Sequence, residues 1–390
     1  MFKKGNNMCK SFNHLFEFII DRKNIRQAIL NAFKKSKVRK IKSVQDILNN
    51  IDLHIENIRN MLLSGKFTAQ RHIILERRDK GTGKIRKVIC PYYYKNYEGY
   101  PCYEHIIHHL VVLALQQNVF RSIYDFSCGS IPKRGGTYGQ KYIEKFIKEH
   151  PKDCRYCLQA DIHHFYENIS TKRLKEKLTK KIHDDRFLDI LFKVIDSNVG
   201  FLHGEWVAIG LPIGFYSSQW LANWYLSDYD HAIKEKLKVK FYARYVDDQI
   251  MFSSNKRLLH RVLKSLKELL LKECLILKGN YQIFKFNYLV KNDTTSKGRP
   301  LDFLGYKFYC NRITLRKRII ARILRKAIKL SKKALITHYE ARRFLSYIGW
   351  RNRTKIYTWY QKYISSKIKI STLKNVISIY DLKYKSLQVA

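Results

Sequence analysis

The chain has 390 residues, 45% of them hydrophobic and 14% aromatic, enough to bury a large core and to exclude a disordered polymer. Lys and Arg number 76 against 32 Asp and Glu, and a compact fold tolerates the resulting charge of +44 best when a polyanion neutralises it. No apolar run approaches the length of a membrane span, so nucleic acid is a better partner than a bilayer; 27 Tyr and 21 Phe interleaved with the cations could stack bases while Lys and Arg hold phosphates.

An A/T-rich genome would raise Lys, Ile and Tyr together, but it would not explain the shortage of acids. The N-terminus has no long apolar stretch and no small-residue cleavage site, so a signal peptide is not expected. Eight scattered cysteines suit a reducing cytoplasm. Cys154 and Cys157 form a CxxC that no second pair completes, and a structural role is expected for them.

In chain order, residues 11–64 read as helices with basic outer faces; Val44, Ile47, Leu48, Ile51 and Ile55 recur at helical spacing. From Phe67 to Cys90 the pattern becomes strand-like, broken by a turn at Asp79-Lys80-Gly81-Thr82-Gly83. Residues 101–118 predict a buried helix. A glycine-rich basic loop over 127–139 precedes a helix to about 149. A strand over 156–162 leads into a mixed helical stretch to about 196. Residues 210–233 begin as a loop and continue as one long helix. Residues 241–252 predict two strands around a tight turn at Val246-Asp247-Asp248. A basic helix and short strands fill the chain to 310, and from about 315 it is helical and strongly cationic. No repeat and no Gly/Ser linker interrupts it, and no acidic cluster suited to a nuclease follows residue 315.

The chemistry centres on Asp247 and Asp248. Adjacent carboxylates on a turn flanked by core residues are costly to bury unpaired, and a divalent cation offsets that cost. Nucleotidyl transfer needs such a pair plus a third carboxylate from another strand, and Asp161 closes the apolar strand Leu158-Gln159-Ala160. Taken alone, a pair of aspartates is more often a solvated turn.

Leu158–Ile169 resembles motif A of reverse transcriptases, and Tyr245–Asp248 resembles their YxDD motif C. Gly210–Asn223 is similar to motif B, Ser130–Gly139 to the second finger motif, and Leu301–Phe308 to the primer-grip region. All five stand in the family's order over roughly residues 70–310. The resemblance implies an α+β right-hand polymerase: an N-terminal helical extension (1–66), fingers with part of the palm (67–155), a palm whose antiparallel sheet carries the catalytic turn (156–312), and a basic helical thumb (313–390). It implies a metal set of Asp161, Ile162, Asp247 and Asp248 for two Mg2+ ions, with Mn2+ as a substitute. RNA template, DNA product and deoxynucleotides are the implied partners.

The resemblance also carries individual roles. Lys84 and Arg86 match cations that clamp the incoming triphosphate, although surface strand residues look the same. Arg134 would meet template or triphosphate. Tyr166 matches the aromatic gate against a 2′-hydroxyl, with a core tyrosine as the plain alternative. Gly214 and Gln219 would lie at the nascent base pair, and Lys278, one lysine among many, would protonate pyrophosphate. Arg316, Lys317, Arg318 and Arg322 would hold the duplex, and Tyr347, Trp350, Tyr357, Trp359 and Tyr360 offer rings for stacking or for core packing.

The spelling Gly214-Phe215-Tyr216-Ser217-Ser218-Gln219 is similar to the diversity-generating retroelement branch and to bacterial defence enzymes near it. Ile213 replaces a glutamine of the wider family, which points to reduced fidelity. Two settings are implied: antiphage defence with a dedicated noncoding RNA, or an error-prone retroelement with a second protein encoded nearby. A non-catalytic RNA scaffold is the alternative of another class, and intact Asp161, Asp247 and Asp248 argue against it.

Overall fold

Apolar residues at helical spacing set the first helices: α1 (Leu15–Ile20), α2 (Arg22–Ala32), α3 (Lys42–Asn49) and α4 (Ile51–Leu63). Asp21 caps α2 by accepting from the N–H groups of Lys23 and Asn24. A computed structural model describes residues 12–34, 38–68, 72–78, 85–89, 103–197, 199–202, 205–208, 210–290 and 295–389. The turn expected at Asp79–Gly83 lies outside them, as does Lys84. Strands β1 (His72–Arg78) and β2 (Ile85–Ile89) pair antiparallel with Ile74 opposite Ile89. The expected buried helix is α5 (Tyr103–Gln116), which packs against α1 and α2.

β3 (Ser127–Cys128) is followed by α6 (Gly136–Glu149), which starts inside the stretch that reads as loop. Gly135 and Gly136 keep ordinary backbone angles there, so nothing prevents the helix from beginning. β4 (Tyr156–Asp161), α7 (Phe165–Asn168), α8 (Thr171–Thr179) and α9 (Asp185–Asp196) follow, the last two capped by Ser170 and Asp184 side chains. A hairpin of β5 (Val199–Leu202) and β6 (Glu205–Ala208) comes next, and β5 runs parallel to β1. The sequence reading has no counterpart for that hairpin.

The long helix expected over motif B is two, α10 (Tyr216–Tyr225) and α11 (Ser227–Glu235). Leu226 turns its fully buried side chain inward at φ −90°, ψ 7°, and Ser227 Oγ donates to the Ser122 carbonyl, which breaks the helical path. β7 (Phe241–Tyr245) and β8 (Asp248–Ser253) flank the predicted turn, followed by α12 (Lys256–Lys272). The remaining strands are β9 (Gln282–Lys285), β10 (Tyr288–Leu289), β11 (Ser296–Lys297), β12 (Leu301–Phe303), β13 (Tyr306–Phe308) and β14 (Ile313–Leu315). Helices α13 (Lys317–Ser331), α14 (His338–Leu345), α15 (Ile348–Arg351), α16 (Tyr357–Tyr360) and α17 (Ile370–Val389) end the described chain.

The chain divides into two compact units. The first comprises residues 1–135, 159–250 and 260–281, with sheets of order β2-β1-β5-β6 and β3-β7-β8-β4. β3 and β7 pair in parallel, so this sheet is not purely antiparallel. The second comprises 136–158, 251–259 and 282–390, holding the ends of β8 and β4 beside β9 and the antiparallel meander β12-β13-β14. Within it Cys154 and Cys157 are buried, and burial pushes the Cys154 thiol up to about 12.

Candidate polymerase active site

In the first unit, the β7–β8 turn and the end of β4 meet through main-chain bonds. The Ile162 N–H donates to the Asp247 carbonyl at 3.2 Å, and the Lys278 N–H donates to the Asp161 carbonyl at 2.8 Å. Asp161, Asp247 and Lys278, far apart in sequence, are thereby held on one edge. The Lys278 ammonium stands 3.2 Å from Asp161 Oδ2, while Asp161 Oδ1 is buried and accepts no hydrogen bond. An orphaned carboxylate oxygen is unfavourable unless a cation takes it.

Tyr166 follows on α7. Its carbonyl accepts from the Leu211 N–H at 2.8 Å, tying the ring's backbone to the loop before α10. Burial, and then the Asp247 carboxylate, push its phenol up to about 12. Gly210 and Gly214 are both required by close approach. A Cβ on Gly210 would stand 2.5 Å from the Tyr166 carbonyl oxygen, and one on Gly214 would stand 1.7 Å from that of Ile89. The Ile89 N–H also donates to the Ile213 carbonyl at 2.8 Å, which anchors the β1–β2 hairpin to this loop. On that hairpin Arg86 is exposed directly opposite Arg77, a like-charge pair suited to an anionic ligand.

Residues 78–308 match the reverse transcriptase (RNA-dependent DNA polymerase) family. This chain belongs to that family. Two solved structures of apo telomerase from Candida tropicalis are similar to it. The form truncated from its C-terminal domain shares 14% identity at a TM-score of 0.45, over 64% of this chain and 55% of that one. The other shares 13% identity at a TM-score of 0.46, over 71% and 53%. The chain thus spans about half the length of those telomerases. No curated protein matches it.

The expected reverse transcriptase residues sort by where the structure puts them. Asp161, Ile162, Tyr166, Gly214, Gln219, Asp247, Asp248 and Lys278 all fall in the first unit, on α7, α10 and the loops and strands just described. Among the described residues no three His, Cys, Asp or Glu side chains converge to hold an ion as they stand. The Lys278 ammonium instead stands against the Asp161 carboxylate, 3.2 Å from Oδ2. The oxygen-only donor set and the orphaned Asp161 Oδ1 still fit a hard divalent cation. Arg134 pairs with Asp125 at 3.0 Å. In the second unit, Arg316 pairs with Asp302 and so helps build the fold there, while Lys317, Arg318 and Arg322 are exposed on α13. Of the rings, Tyr360 is buried and Trp350 packs on Tyr306 at 4.9 Å; Tyr357 is the exposed one.

Sequence reasoning passed over Arg244. Its side chain is wholly buried two residues before Val246, bonded bidentately to Asp230 at 2.9 and 2.6 Å. An arginine within a strand of apolar and aromatic residues was the available signal. Its partner, 14 positions earlier on α11, was not.

Proposed function

We propose that this chain copies RNA into DNA, with Asp161, Asp247, Asp248 and the Ile162 main chain holding two Mg2+ ions, for which Mn2+ can substitute. The observation that carries the reading is the buried, unbonded Asp161 Oδ1 set beside the Asp247–Asp248 turn by the Ile162–Asp247 bond. Bound magnesium supplies acidification of the primer 3′-hydroxyl and stabilisation of the leaving pyrophosphate. The protein's own groups do the rest. Tyr166 shapes the floor under the sugar, and the base pair lies over Gly214 and Gln219. Arg86, together with Lys84, steadies the triphosphate. Lys278, 3.2 Å from Asp161 Oδ2, would be released where a cation takes that carboxylate and would then give a proton to the leaving group. Residues 1–66 act as a helical extension, 67–155 as fingers with part of the palm, 156–312 as palm and 313–390 as thumb. Arg134, Arg316, Lys317, Arg318 and Arg322 contact nucleic acid in this scheme.

The setting we propose is cytoplasmic antiphage defence in bacteria, with a dedicated noncoding RNA as template. The Gly214–Gln219 spelling supports it, and equally supports an error-prone retroelement; the RNA that copurifies with the protein separates the two. Among the described residues no helix is long and apolar enough to cross a membrane. The decisive test of the catalytic reading is Asp247→Asn. This variant should lose primer extension in magnesium while still binding RNA; full extension would remove the site assignment.

A further inference from the structure

Val246 sits in the middle of the catalytic turn with φ +60°. A β-branched residue in the left-handed region is strained, and such strain persists only where the surroundings over-determine it. Here they do. The Val246 N–H donates to the Cys128 carbonyl at 3.1 Å, and Arg244 Nη1 donates to the Val246 carbonyl at 2.8 Å. The same guanidinium is held by Asp230 through Nε and Nη2, and by Asn223 Oδ1 and carbonyl, each at 3.3 Å. Asp230 in turn accepts from the Tyr242 hydroxyl at 2.6 Å. Asn223 Nδ2 reaches the Gly129 carbonyl at 3.1 Å and the Gln219 carbonyl at 2.9 Å.

A fully buried arginine–aspartate pair is a poor device for stability alone, since well-packed apolar residues of the same volume would commonly do as well. Burial by itself would lower the Arg244 pKa; Asp230 more than reverses this and keeps the fork charged. What the pair provides is direction. Guanidinium geometry is rigid, so five N–H groups aimed at Asp230, Asn223 and Val246 fix the turn relative to α10 and α11 at once.

We propose that Arg244, seated on Asp230 and Asn223, is a positioning residue that holds Val246 left-handed and so aims the Asp247 and Asp248 carboxylates. It touches neither substrate nor ion. The proposal rests on the polymerase reading of the same turn and adds that the reaction depends on this buried clamp.

Arg244→Lys keeps the charge and loses the fork. It should lower kcat by about 100-fold, the scale of a 1 Å misplacement, with template–primer affinity unchanged. Mn2+ bound to the protein without nucleic acid, followed by electron paramagnetic resonance, should weaken by about 10-fold, as losses of supporting partners around an ion site do. The discriminating variant is Val246→Gly. Glycine adopts φ +60° without help, so Val246→Gly added to Arg244→Lys should recover much of the lost rate and Mn2+ affinity. A role confined to core stability would not be rescued that way. Should Arg244→Lys fail to fold, Asp230→Asn keeps the shape and removes the charge, and the same two readouts apply. Natural rate and Mn2+ affinity in a folded Arg244→Lys or Asp230→Asn protein overturns the proposal, as does loss that Val246→Gly leaves untouched. In that event an inactive Asp247→Asn protein leaves the catalytic reading standing, whereas an active one removes both.

Discussion

Gly214 shows how little latitude the loop before α10 has. Its φ is +135°, and a Cβ would stand 1.7 Å from the Ile89 carbonyl oxygen, which is main chain and has no rotamer to escape into. Gly214→Ala must therefore part the β1–β2 hairpin from the loop before α10. Strain of roughly 3 kcal/mol or more follows, enough to lower the melting temperature by about 4 °C or more and to weaken deoxynucleotide use with it. A thermal melt checks this, and an unchanged midpoint would show that the hairpin is not anchored there. Tyr166 is the opposite kind of residue, a side chain whose loss opens space. Its backbone is pinned by Leu211, so Tyr166→Ala should leave the loop in place. Discrimination against ribonucleotides should fall by about 10-fold or more while deoxynucleotides are still used. Parallel extension assays with the two nucleotide types read this out; an unaltered preference would mean that another group guards the 2′ position.

Among the elements, α13 is where local pattern and observed structure agree most closely. Helical spacing puts Ile319, Ile323, Ala327 and Leu330 on one face; the last three are buried and Ile319 is half-buried, while Lys317, Arg318 and Arg322 are on the exposed side. Arg316 differs because it precedes α13 and pairs with Asp302, so its replacement would disturb the meander as well as any nucleic-acid contact. Replacing Lys317, Arg318 and Arg322 together with Gln should shorten products and weaken template–primer binding, yet spare first-nucleotide addition at saturating substrate. Full-length products with unchanged affinity would sink the thumb assignment. The periodic helices and the strand–turn–strand around Asp247 were legible because their signals lie within a few residues of one another. The β5–β6 hairpin and its parallel pairing with β1 were not, since that pairing joins residues more than a hundred positions apart. The break at Leu226 was hidden for a related reason: it depends on where a buried leucine and a serine hydroxyl find partners, not on any breaker in the sequence. In the site, the carboxylates were legible by type and order. The Lys278–Asp161 and Arg244–Asp230 pairs needed the fold, because composition alone offers 76 cations as candidates.

At the scale of the molecule the charge of +44 sets two responses to salt that run in opposite directions. Without nucleic acid, like charges repel across the surface, and added salt screens them. The melting temperature of the free protein should therefore rise as NaCl goes from low to moderate concentration. With RNA present the order reverses. Binding releases condensed cations, so log affinity falls with log salt by about 0.7 per phosphate contacted on a single strand and about 0.9 on a duplex. A polymerase gripping several phosphates along a groove should show a slope of about −4 or steeper, corresponding to roughly six contacts. Lys and Arg are spread along the whole sequence, so the slope should also fall only gradually as individual cations are replaced. Equilibrium binding of a labelled RNA across a tenfold salt range measures it directly. A slope worth one or two contacts would mean that most of this charge faces solvent and that polyanion binding does not account for the composition.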